Sequence, residues 1–159
     1  MFVSGTANEE CWFVSYPRPE SAAATPTAVA EAFSHEIAAA DWTKTTEGAP
    51  LIRDGATYVS SSVDTSKTFP VQLATFTGSN GEVYVAIHGR PGVEIRAFCG
   101  SYDKKDHSAT LKAAAASVTT PKDAEYATAI AAAKAAAAEK AAADAAAAAA
   151  AAEKGKKKK

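Results

Sequence analysis

Phe69-Pro70-Val71-Gln72-Leu73-Ala74-Thr75-Phe76-Thr77, Glu82-Val83-Tyr84-Val85-Ala86-Ile87-His88 and Val93-Glu94-Ile95-Arg96-Ala97-Phe98 follow one another with only short, glycine-bearing breaks between them. Each run is rich in β-branched and aromatic residues and repeats with a period of two, so each reads as a strand, and the short breaks make the three a meander. Val71, Leu73 and Thr75 form one set, Val83, Val85 and Ile87 a second, Val93, Ile95 and Ala97 a third. If these sets share one buried face, opposed residue numbers must sum to even values and both loops need an odd count. Ser79-Asn80-Gly81 and Gly89-Arg90-Pro91 then read as three-residue turns, each with a glycine for the left-handed position.

Upstream, Thr57 to Val63 and Leu51 to Arg53 add two strand candidates. Ser60-Ser61-Ser62 alternates poorly, which suits an edge strand where small polar residues discourage stray pairing, or a contact surface. Thr25-Pro26 is a cap-and-start signal for a helix to about Trp42, with Val29, Phe33, Ile37 and Ala40 on its apolar stripe. Met1 to Gly5 and Cys11 to Tyr16 read as a hairpin around Thr6-Ala7-Asn8-Glu9-Glu10, ended by Pro17 and Pro19 because proline cannot continue a ladder. Downstream, Ser108 to Val118 reads as a short helix on the sheet. The predicted class is α+β: an antiparallel sheet of about five to seven strands flanked by helices.

Residues 121 to 154 are mostly alanine, opened by Thr120-Pro121 with Asp123 in the first turn, closed by Gly155 and followed by Lys156 to Lys159. This predicts one long helix with a cationic tip and Gly155 as its left-handed stop. At 1.5 Å per residue it would reach about 50 Å, further than a small domain is wide, so it is expected to leave the body that carries it. The organisation is therefore a domain over 1–120 and an arm over 121–159.

The 159 residues carry a net charge of −1, but unevenly. The first 120 hold nine basic and thirteen acidic side chains, net −4; the arm holds eight lysines against five acids, net +3. An acidic body with a basic tip points that tip toward an acidic partner. Cys11 and Cys99 fit no CxxC spacing, imply no disulfide framework and read as small buried hydrophobes. No secretory leader and no run of 18 apolar residues is evident, so a reduced, cytoplasmic protein is the expectation.

Tyr84-Val85-Ala86-Ile87-His88-Gly89-Arg90-Pro91-Gly92-Val93-Glu94-Ile95-Arg96-Ala97-Phe98-Cys99-Gly100 resembles the profilin hairpin YxxIQGEPGxxIRGKKG. Tyr84, Ile87, Gly89, Pro91, Gly92, Ile95, Arg96 and Gly100 match, eight of seventeen. Trp12 on a second strand is similar to the family's VWAQS segment, and the β-β-α opening resembles profilins and, equally, roadblock and longin-type domains. The resemblance implies one small α+β domain and, for profilins, actin-monomer binding. The family's opening helix and the basic pair of its GKKG have no counterpart here, and no actin-binding residue is carried over.

Chemistry-bearing residues are few. His35, His88 and His107 lie at no metal-ligand spacing, and no phosphate-cradling glycine loop or nucleophile elbow occurs. His88 and Cys99 could be imagined as a Cys-His pair, but the even-sum register puts them on opposite faces. No cofactor and no enzymatic activity are expected. Tyr126 and Ile130, four apart, are the arm's only large apolar residues and would staple its start to the domain or a neighbour; Lys154, Lys156, Lys157, Lys158 and Lys159 would meet an acidic surface. The expected function is a non-enzymatic structural or adaptor subunit of a large cytoplasmic, cytoskeleton-associated assembly of microtubule, axoneme or ciliary type. The alternatives are a ribonucleoprotein component with an RNA-contacting tail, and a profilin-like actin-monomer binder.

Overall fold

The computed structural model describes residues 2–5, 8–49, 51–52, 55–78, 81–102 and 107–156, with side chains described from 8 to 149 within those ranges. Among these residues six strands form one antiparallel sheet: β1 (Phe2–Gly5), β2 (Glu9–Pro17), β3 (Thr57–Asp64), β4 (Val71–Thr77), β5 (Glu82–Arg90) and β6 (Val93–Ser101). Their spatial order is β1-β2-β6-β5-β4-β3, so the opening hairpin closes onto the last strand and β3 is an edge. Among the described residues four α-helices accompany them: α1 (Pro26–Ala32), α2 (Ala39–Thr46), α3 (Ser108–Ala115) and α4 (Asp123–Lys156). The chain divides into two compact units, residues 1–120 and 121–159.

The register differs from expectation, and the difference reorganises the core. Arg90 pairs with Val93 and Thr77 with Glu82, so opposed numbers sum to odd values throughout the meander. Pro91-Gly92 is a two-residue turn with Gly92 at φ 78°, the positive value a turn with proline in its first central position asks of its second. Gly78 N–H donates to the Gly81 carbonyl, which shortens the other connection to two central residues, 79 and 80, both outside the described residues.

Odd sums divide the apolar residues between both faces of the sheet. One face holds Cys11, Val71, Tyr84, Ala86, Ala97 and Cys99 under Leu111 and Ala115 of α3. The other holds Ala74, Phe76, Val83, Val85, Ile87 and Phe98 under Trp42 of α2 and Ala49. Covering on both sides explains why β5 is buried from Val83 to Arg90 without alternation.

The helix predicted from Thr25 to Trp42 is two helices. Thr25 caps the first, its hydroxyl oxygen accepting from Ala28 N–H at 3.2 Å, and Pro26 opens it. The chain leaves the helix at Phe33, and the buried amide of Gln72 donates to the released carbonyls of Phe33 and His35, at 3.4 and 2.7 Å. That satisfaction makes an early exit affordable. The helix restarts at Ala39 in a new phase that drives Trp42 fully into the core. Leu51 to Arg53 is not a strand where it is described: Leu51 sits at φ 66° in a turn, and with Ile52 it packs against the Trp42 face.

Candidate functional site

α4 runs unbroken from Asp123 to Lys156. It begins two residues later than the proline signal suggests, the Lys122 carbonyl accepting the Tyr126 N–H at 2.9 Å. It also passes through Gly155 instead of stopping there, because alanine on the preceding turns propagates the helix well enough to carry one glycine. Tyr126 and Ile130 lie one turn apart on one side of α4; Ile130 is 4% exposed and Tyr126 half-buried. From Ala131 to Ala149 every residue is exposed. Lys140 pairs with Asp144 at 3.3 Å across one turn, and both side chains are more than two-thirds exposed, so the pair adds only a few tenths of a kcal/mol.

Lys154 and Lys156 fall on the helical backbone, roughly 36 Å along the axis from Ile130 at 1.5 Å per residue, so the predicted contact residues form two separate groups. Lys157, Lys158 and Lys159 lie outside the described residues.

The cysteines overturn the reading of free thiols. Cys11 and Cys99 face each other across β2 and β6 and are joined by a disulfide that closes 88 residues of chain. The absence of a CxxC spacing carried no information here, because the partners meet through strand order. The argument for a reducing compartment falls with the free thiols, since disulfides persist mainly in oxidising ones.

His88 and Cys99 do share a face, contrary to the even-sum register, since His88 opposes Ile95 and Tyr84 opposes Cys99. The sulfur is nevertheless committed to Cys11, and His88, fully buried, has Nε2 2.8 Å from the Ala115 carbonyl of α3. That contact ties a helix to the sheet. His107 precedes α3, with Nδ1 2.7 Å from Glu9 Oε1, and His35 is exposed in the break between α1 and α2. No group of three or more metal-ligating side chains exists among the described residues, and no described helix is long and apolar enough to cross a membrane.

Two polar clusters were invisible in the sequence because they join distant segments. Glu94 receives Arg18 Nη2 at 2.9 Å and Arg96 Nε at 2.6 Å, and the Arg96 guanidinium lies 4.5 Å over the Tyr16 ring. Tyr102 donates to Glu10, which also accepts from Trp12 Nε1. Partial burial, then the hydrogen bond and the charge of Glu10, push the Tyr102 hydroxyl up to about 12. A folded-state value above the unfolded one means that this contribution is complete below pH 10 and is lost as pH rises from 10 toward 12. Tyrosinate absorbance should therefore include a late-titrating phenol, and Glu10→Gln, which removes the hydrogen bond and the charge but not the burial, should lower its midpoint; an unmoved titration would contradict the contact.

No family model matches the chain, and no curated protein or solved structure shows significant similarity to it. The likeness to profilins therefore stands only at the level of class: an antiparallel sheet with packed helices in an α+β arrangement.

Proposed function

We propose that the chain is a non-enzymatic structural or adaptor subunit that joins a larger cytoplasmic assembly through its alanine arm, a cytoskeletal filament being the partner whose acidic surface suits the lysine tip. One observation carries the reading: nineteen consecutive helical residues, Ala131 to Ala149, are exposed on every side. Such a helix has no internal reason to be this long. Alanine keeps it helical without packing and lets its backbone approach another surface closely. Its charge, opposite in sign to that of the first 120 residues, favours an acidic surface over a basic one.

The test is cosedimentation of the full chain with microtubules and with actin filaments, beside a variant in which the lysines at 154 and 156–159 are all glutamine. The wild type should pellet with a filament, and less so as salt rises; the variant should bind roughly tenfold more weakly or worse, given up to about 1 kcal/mol for each exposed ion pair. Binding by neither form, or equally by both, contradicts the proposal.

The disulfide favours a second reading, in which the same scaffold role is played in an oxidising compartment. Cytoplasmic residence would leave the cysteines as thiols. Alkylation of the protein from its native source, without reductant, separates the two readings: two modified cysteines support the first and none the second.

A further inference from the structure

A cavity of about 230 Å³ lies between α1 and the tip of the β5–β6 hairpin, and it belongs entirely to the first unit. It exists because α1 faces the hairpin with small side chains: Ala28 and Ala32, one turn apart, do not fill the space to Val93. Phe33 makes a fixed wall. Its ring lies against Gly89, so close that a Cβ there would meet it at 2.2 Å.

Charged groups gather at the mouth of this apolar hollow. Glu94 is already held by two guanidiniums, so its charge is answered. Arg18 spends Nη2 on Glu94, but among the described residues its Nη1 reaches only Glu20 Oε1, at 4.0 Å, and the Glu20 side chain is 67% exposed. That contact is too long for a hydrogen bond and is readily exchanged. An arginine with a spare donor edge over an apolar hollow is built to take a planar carboxylate.

The geometry points to this cavity as a binding site for a small apolar carboxylic acid, its alkyl or aryl body between Ala28, Ala32, Phe33 and Val93 and its carboxylate on Arg18. At about 30 Å³ for each water-sized group the space holds roughly eight non-hydrogen atoms, fewer than a drug-sized ligand has. A ligand this small binds in the millimolar range. Nothing in this inference depends on the arm or on the assembly role.

Hexanoate and benzoate, of eight and nine non-hydrogen atoms, are the probes, with hexanol as the uncharged control, added to the full chain while backbone amide resonances are followed. The acids should shift the amides of Ala28, Ala32 and Phe33 with saturable, millimolar affinity, and hexanol should bind about tenfold more weakly. Ala32→Leu, at an exposed position, adds three carbons to the wall of the hollow and should weaken the binding of the acids about tenfold with the rest of the spectrum unchanged. Arg18→Gln should weaken the acids about tenfold and leave hexanol unaffected. No saturation by the acids, shifts elsewhere in the molecule, or binding unchanged in Ala32→Leu would overturn the inference; hexanol binding as tightly as hexanoate would overturn the role of Arg18.

Discussion

Reduction of the Cys11–Cys99 bond is expected to lower the stability of the head by about 4 to 5 kcal/mol, the chain-entropy value for a loop of this length. The bond joins the opening hairpin to the last strand, so what it constrains is the longest closure in the fold. For about 120 residues, this loss corresponds to a fall in Tm of roughly 16 to 20 °C. It is a large share of the roughly 5 to 15 kcal/mol by which domains are stable at all. Denaturant unfolding with and without reductant measures it, and the Cys11→Ala/Cys99→Ala double variant should reproduce the reduced protein. Equal midpoints with and without reductant would show that the pair is not joined in solution.

Trp42→Ala is expected to cost about 3 to 5 kcal/mol, the range for removing a large buried aromatic side chain. Trp42 is fully buried at the centre of the α2 face, against Phe76, Val85, Ile87 and Phe98. Its indole N–H has no hydrogen-bond partner among the described residues, so the side chain is held by packing alone, against a desolvation penalty. Trp42→Phe keeps most of the ring contact and removes the unsatisfied donor, and should cost under about 1.5 kcal/mol. Urea unfolding of the two variants gives both values; an alanine variant within about 0.5 kcal/mol of wild type would remove α2 from the core.

The disulfide and Trp42 also show where the sequence stops being legible. Period-two runs are local, and the strands from Thr57 to Phe98, the opening hairpin and α3 all emerged where they were expected. Register is not local. Three-residue turns at both ends of β5 satisfied the apolar pattern on one face, but two-residue turns satisfy it equally once helices cover both faces, and only the tertiary structure decides. That single parity moved His88 and Cys99 onto the same face and turned half of the supposed solvent side into core. From the sequence Trp42 reads as the end of one helix because the break at Phe33 to Ala38 is stabilised by Gln72, a residue 37 positions from His35. The disulfide was hidden for the same reason: residues far apart in sequence meet only because β2 lies beside β6. Of the candidate contact residues, the placement of Tyr126 and Ile130 on one side of a helix followed directly from their spacing. The Arg18–Glu94–Arg96 cluster had no signal to give, since scattered charges in a sequence carry no information about their partners.

The account rests on α4 being one continuous helix through its exposed residues. Spin labels at Glu125→Cys and Ala149→Cys, two exposed positions in a chain whose native cysteines are paired, allow pulsed EPR to measure that directly. A helix places these 24 steps about 36 Å apart in a single narrow distribution. A distribution that is broad and centred near 27 Å, as for a flexible coil of the same length, would contradict the continuous helix and remove the basis for binding through the arm.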